Sequence, residues 1–213
     1  MMIDKTQKIA KALMDIQAIS LNPAHPYTWA SGLKAPIYCD NRLIMSFPEV
    51  RSFIEEELVA LIRSHYPKAE VIAGTATAGI PHAAIIADKM NLPMVYVRSN
   101  HKDHGKKNAI EGRIEPGQNV VMVEDLISTG KSVIEAADKV EAAGGKVLGT
   151  VAIFSYELQK SHEAFGEQAY DLHPLISYPE LIDAVASNEE LFPYKETLNA
   201  WYKDPEKWSN EVE

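Results

Sequence analysis

Two adjacent carboxylates, Glu124 and Asp125, follow the apolar run Val120-Val121-Met122-Val123 and precede the turn Ser128-Thr129-Gly130-Lys131-Ser132. The run reads as a buried parallel strand, because strands covered on both faces lose their polar alternation. Carboxylates accept hydrogen bonds from neighbouring hydroxyls. A hydroxyl- and glycine-rich turn that opens a helix offers unpaired backbone N–H groups, which suit a phosphate. Ligands of open α/β sheets bind at the carboxyl ends of the strands, where this pattern places both halves. One ligand bearing both hydroxyls and a phosphate would satisfy the acids and the turn together.

Gly130-Lys131-Ser132 also invites the nucleotide-binding pattern G-x-x-x-x-G-K-[ST]. Its first glycine would fall at position 125, where the chain has Asp125. A carboxylate repels a triphosphate where that loop needs bare backbone, so this reading fails at one residue. No G-x-G-x-x-G follows a strand, which removes the dinucleotide motif as well.

Two more segments have anion chemistry. Val71-Ile72-Ala73-Gly74 reads as a strand, followed by the small, hydroxylated Thr75-Ala76-Thr77-Ala78-Gly79-Ile80 and by Pro81 at the favoured first position of a helix. Loops this small let backbone N–H groups approach a ligand, although a plain tight turn would look the same. Residues 98–113 carry five Lys/Arg (98, 102, 106, 107, 113) against two acids (103, 111), a local +3. This is either a solvated charged loop or a cationic lid that closes on a polyanion. His101 and His104 lack a third metal ligand at helical spacing, which argues against a metal pair. Tyr27, Trp29 and Tyr38 suit either a core or a stack on a planar ligand. His25, His65, His82, His162 and His173 read as surface or satisfied core histidines.

The 213 residues carry a net charge of −9, which argues against a general nucleic-acid partner. The single cysteine, Cys39, allows no internal disulfide and points to a reducing, cytoplasmic setting. No apolar stretch approaches the roughly 20 residues that span a membrane, and the N terminus lacks a signal-peptide core.

These groups need a frame. Residues 4–18 predict an amphipathic helix capped by Asp4, with Ile9, Ala12, Leu13 and Ile16 inward. The prolines of 22–40 predict turns and short strands. Residues 48–66 predict a helix with Phe53, Ile54, Leu58, Leu61 and Ile62 inward and Glu55-Glu56-Glu57 solvated. Strands are expected at 94–97, 146–154 and 172–177. Helices are expected at 131–143 (Val133, Ala136, Ala137 and Val140 inward, Gly144-Gly145 as stop), 178–187 and 195–203. Three strand–helix–strand units in succession imply right-handed crossovers and a mostly parallel sheet. The tail with Trp201 and Trp208 is expected on the surface or at an interface.

The stretch from Val121 to Ser132 resembles the 5-phosphoribosyl-1-pyrophosphate (PRPP) motif of type I phosphoribosyltransferases. Three further segments, in order, resemble orotate phosphoribosyltransferases and particularly their Gram-positive subgroup. They are Trp29-Ala30-Ser31-Gly32 through Ile37-Tyr38-Cys39-Asp40-Asn41-Arg42, Gly74 to Pro81, and Arg98 with Lys102, His104 and Gly105. The resemblance implies an α/β type I phosphoribosyltransferase fold in one domain, 1–213. Its central, mostly parallel sheet is flanked by helices. About 1–45 form a small hood, about 46–155 the PRPP core and 156–213 a C-terminal elaboration.

The implied activity is transfer of phosphoribosyl from PRPP to orotate in pyrimidine synthesis. A phosphoribosyltransferase for another base and a non-catalytic PRPP sensor are the alternatives. The resemblance assigns the ribose hydroxyls to Glu124 and Asp125. It assigns the 5′-phosphate to the motif Leu126, Ile127, Ser128, Thr129, Gly130, Lys131 and Ser132. Pyrophosphate falls to the loop from Thr75, Ala76 and Thr77 to Gly79. Arg98, Lys102 and His104 would reach across a homodimer into the neighbour's site, with Lys102 foremost in catalysis alongside Asp125. Orotate would meet Ser128, Lys34 and Tyr38. Family members place an arginine for its carboxylate where this chain has Ser155–Leu158, so Lys34 and Arg42 are candidate substitutes. Mg²⁺ is implied as cofactor, held mainly by PRPP and water with no direct protein ligand.

Overall fold

The computed structural model describes residues 4–98, 109–185 and 191–212. The chain divides into two compact units, Arg51–Leu175 and a second made of Met1–Val50 with Ile176–Glu213.

The second unit opens with helix α1, Lys5–Asp15, where the Asp4 carboxylate accepts the Lys5 N–H at 2.7 Å. Ile9 and Leu13 are fully buried, as the period demands. Strands β1 (Ile19–Leu21), β2 (Tyr27–Thr28), β3 (Lys34–Ala35) and β4 (Ile37–Cys39) follow. β1 pairs antiparallel with β4, and β2 with β3. The proline-rich stretch is therefore two small ribbons. Trp29 is half-buried, and Tyr38 is exposed with its ring 5.6 Å from that of Tyr27.

Helix α2, Pro48–His65, leads into the larger unit. Ile54, Leu58 and Ile62 are buried, but so is Glu55, at 0% exposure. This corrects the expectation of a solvated Glu55-Glu56-Glu57 face. Glu55 precedes Leu58 by three and Ile62 by seven residues, which puts it on the packed stripe.

The sheet of this unit is built from β5 (Val71–Thr75), β6 (Met94–Val97), β7 (Ile110–Glu111), β8 (Asn119–Ile127), β9 (Lys146–Ser155) and β10 (Asp171–Ser177). Helices α3 (Gly79–Met90), α4 (Lys131–Ala142) and α5 (Gln159–Gly166) connect them. The order is β10-β9-β8-β5-β6-β7. β5 is parallel to both β6 and β8, and β8 to β9, whereas β7 runs antiparallel to β6. Among the described residues three strand–helix–strand units are present, β5-α3-β6, β8-α4-β9 and β9-α5-β10, but they are not in unbroken succession. The passage from β6 to β8 runs through β7, so the end of the 98–113 segment is a strand in which Ile110 pairs with Val97. Strand β10 takes the opposite edge, as the 172–177 pattern predicted. Helix α5 carried no clear apolar period and was not expected; only its Ser161 is buried.

Strand β8 runs four residues past Val123, the expected end. β9 keeps pairing with it as far as Ile127 opposite Ser155, while β5 leaves it at Val123. One edge of Glu124–Ile127 is thus held and the other is clear of its neighbour strand.

In the second unit, Ser177 and Glu180 form a capping box at helix α6, Tyr178–Ala184. Helices α7 (Lys195–Lys203) and α8 (Pro205–Glu211) complete the chain. Trp201 and Trp208, expected on the surface or at an interface, are buried within this unit. Trp201 meets Trp29 edge-on at 5.7 Å and Tyr178 at 5.0 Å, large areas that amphipathic helices this short need for stability. Among the described residues no helix is long and apolar enough to cross a membrane.

Candidate functional site

Glu124 and Asp125 sit on the projecting end of β8. Glu124 is 7% exposed, and Asp125 is half-buried. The Asp125 N–H donates to Glu124 Oε1 at 3.0 Å. Burial pushes the Glu124 carboxyl up to about 9, and the Asp125 side chain beside it pushes the same way; the Thr75 hydroxyl acts in the opposite sense. The shift favours the neutral acid, a form in which Glu124 would offer a donor as well as an acceptor to a ligand hydroxyl.

The turn after β8 delivers Ser128, Thr129 and Gly130 to the start of α4. Gly130 has φ +80°, and a Cβ there would lie 2.7 Å from the Phe165 ring, so only glycine makes this turn without strain. The N-cap residue Gly130 has no side chain to cap α4, and the Lys131 N–H makes a long, 3.5 Å bond to the Thr129 hydroxyl. The other first-turn N–H groups and the positive dipole end suit an anion. Lys131 and Ser132 are exposed, and the Lys131 ammonium lies 3.8 Å from Glu135.

The second anion element ends β5. Thr75 is buried, Thr77 is exposed, and the Ala76–Thr77 peptide is cis. The Ala76 N–H donates to the Val97 carbonyl at 2.9 Å. Helix α3 starts at Gly79, so Pro81 is its third residue and not its first, as expected from sequence. No side chain caps this helix either. Gly79 packs on the Val123 carbonyl of β8, immediately before Glu124. Within one unit, then, two open helix ends flank a strand end that carries two acids.

Arg98 closes β6. Its N–H donates to the Ala109 carbonyl at 2.8 Å, its own carbonyl accepts from Lys139 Nζ at 2.9 Å, and its Nε lies 3.3 Å from Glu111. Lys102 and His104, with His101, lie outside the described residues. In the other unit, Lys34 Nζ donates to the Val212 carbonyl at 2.8 Å. Arg42 donates twice to Asp40, at 2.6 and 2.8 Å, which holds the Asp40 carboxyl below its usual range. Sequence reasoning did not single out Phe165, Lys139 or Glu55 for the site. Each acts through a tertiary neighbour, and none lies in a motif.

Residues 54–173 match the family model described as phosphoribosyl transferase domain. The chain is 56% identical to the orotate phosphoribosyltransferase of Enterococcus faecalis over 203 residues, 95% of this chain and 97% of that one. It is 52% identical to the Bacillus subtilis protein of the same name, over 94% and 93% of the two chains. Among solved structures, Leishmania donovani UMP synthase superposes with a TM-score of 0.78 at 28% identity, over 93% of this chain and 42% of that one. The orotate phosphoribosyltransferase of Aeropyrum pernix gives 0.75 at 22% identity, over 84% and 99%. The chain belongs to the phosphoribosyltransferase family, and within it to the orotate phosphoribosyltransferases.

Proposed function

We propose that the β8–α4 cradle and the Thr75–Gly79 loop grip one PRPP molecule while its 5-phosphoribosyl group passes to orotate, giving orotidine 5′-monophosphate and pyrophosphate. The observation that carries this is the strand end with Glu124 and Asp125 set between two helix N termini whose N-cap residues, Ala78 and Gly130, make no side-chain cap. It has the polarity of a ribose bearing a phosphate at one end and a diphosphate at the other.

Glu124 and Asp125 bind the ribose 2′- and 3′-hydroxyls, with protonated Glu124 able to donate. The N–H groups and hydroxyls of Ser128 to Ser132 hold the 5′-phosphate. The Thr75–Gly79 backbone and the α3 dipole hold the diphosphate. Displacement at the anomeric carbon builds positive charge on the sugar and negative charge on the departing diphosphate. The protein's task is orientation and neutralisation of that charge, with no side-chain nucleophile.

Arg98, Lys102 and His104 of a partner protomer supply cations to the diphosphate in a homodimer. Orotate meets Ser128, Tyr38 and a cation. Both cations considered for its carboxylate are engaged, Lys34 with Val212 and Arg42 with Asp40, so either would exchange a bond on binding. Phosphate oxygens and water are the hard donors that Mg²⁺ prefers, and the half-buried Asp125 carboxylate beside them suits a metal carried in on PRPP and water without a direct protein ligand. Bound there, Mg²⁺ would offset diphosphate charge. The setting we propose is the cytoplasm.

Loss of orotate absorbance on mixing with PRPP and Mg²⁺ tests the reading, run beside uracil and purine bases. Turnover only with another base would overturn it. Tight PRPP binding without any product would mark a sensor instead.

A further inference from the structure

Glu55 of α2 and His82 of α3 are 0% and 1% exposed, and Glu55 Oε1 lies 2.5 Å from His82 Nδ1. The second carboxylate oxygen, Oε2, is buried without a hydrogen-bond partner. Burial holds the Glu55 carboxyl above its usual range against the pull of His82 and, more weakly, of Lys89 and Arg51. Two titratable groups packed between helices are a poor route to stability, since apolar residues of similar volume do at least as well. What such a pair supplies is direction, because a hydrogen bond fixes one rotation and depth of one helix on the other, where apolar packing tolerates several.

The direction matters because of where His82 stands. It is the fourth residue of α3, three after Gly79, so it lies one turn above the loop on the same side of the helix. Gly79 itself rests on the Val123 carbonyl. The first turn of α3 is therefore pinned at two points, to β8 and to α2. No side chain caps that turn, and the Ile80 N–H reaches only the loop's own Thr77 carbonyl, at 3.3 Å, so the direction of the turn depends on those two pins.

We infer that Glu55 and His82 are positioning residues for the diphosphate of PRPP: their contact aims the N-terminal turn of α3, and with it the Thr75–Gly79 loop. This rests on the reading that the loop holds diphosphate.

The test measures KM for PRPP, KM for pyrophosphate in the reverse direction, KM for orotate, and kcat. The double variant Glu55→Leu/His82→Leu removes the pair without stranding a charge, and it keeps a melting temperature near wild type. A misdirected grip raises KM for PRPP and pyrophosphate about tenfold or more, with kcat and orotate KM little changed. Glu55→Gln keeps an oxygen opposite Nδ1 and restores most of the lost affinity. A second arm, Thr77→Glu on the exposed loop, places a negative charge against the diphosphate. If Thr77→Glu raises both diphosphate KM values while the double variant leaves them unchanged, the positioning role is overturned and the loop reading stands. If Thr77→Glu changes neither, the loop reading falls and the inference with it. Equal loss across kcat and all KM values in the double variant, or no recovery by Glu55→Gln, also overturns the role.

Discussion

Gly79 of α3 rests against the backbone carbonyl of Val123 in β8 so closely that no Cβ fits between them. The contact sets the start of α3 on the strand that carries Glu124 and Asp125. The separation of the loop and the acids proposed for diphosphate and ribose is thereby a property of backbone, not of adjustable side chains.

Gly79→Ala must push α3 off β8. Overpacking of this kind costs about 1–3 kcal/mol. The expected result is a lower urea midpoint together with a raised KM for PRPP. A variant with wild-type midpoint and KM would show that the loop and the strand end are not coupled through this contact.

Glu124 makes stability depend on pH. Its folded carboxyl keeps a proton up to about 9, whereas the unfolded group releases it near 4.5. Between these values the folded state binds more protons, so stability falls as pH rises. The contribution is full below the unfolded value and is lost through the folded one. Its slope reaches at most about 1.4 kcal/mol per pH unit. Glu124→Gln, which mimics the protonated acid, should flatten this slope in denaturant titrations between about pH 5 and about pH 9. Equal slopes in the two proteins would refute the assignment.

Gly130 faces two constraints, a left-handed backbone and the Phe165 ring. Gly130→Ala should cost roughly 1–2 kcal/mol for the backbone alone, plus the overlap. Gly130→Ala/Phe165→Leu relieves the overlap and should recover part of the stability. If it recovers none, the ring is not what closes this turn.

For the cationic segment, Lys102→Ala should lower kcat about 10²-fold or more while PRPP binding weakens far less. Mixing this variant with Asp125→Asn protomers should restore part of the activity, because a shared dimer then holds one intact site. A near-normal kcat would remove Lys102 from the chemistry, and absence of rescue would argue for sites built from single chains.

The sequence by itself determined the cradle. Apolar Val120–Val123, the acids after it and the glycine turn are contiguous, and contiguous residues need no partner to be recognised. Asp125 alone was enough to reject the nucleotide loop. The strands at 94–97 and 146–154 and the inward face of α4 were legible for the same reason, since their periodicity is local. What only the tertiary structure decided involves pairs distant in the chain. Glu55 looked like one of three solvated acids until His82 was brought to it from α3. Strand β8 was read as ending at Val123 because its next residues are acids; pairing with β9 carries it on to Ile127. For Trp201 and Trp208 the sequence left surface and interface open, but Trp29 and Tyr178 pack against Trp201. The raised carboxyl of Glu124 also belongs to this class, because its first cause is burial, which no spacing of residues along the chain reveals.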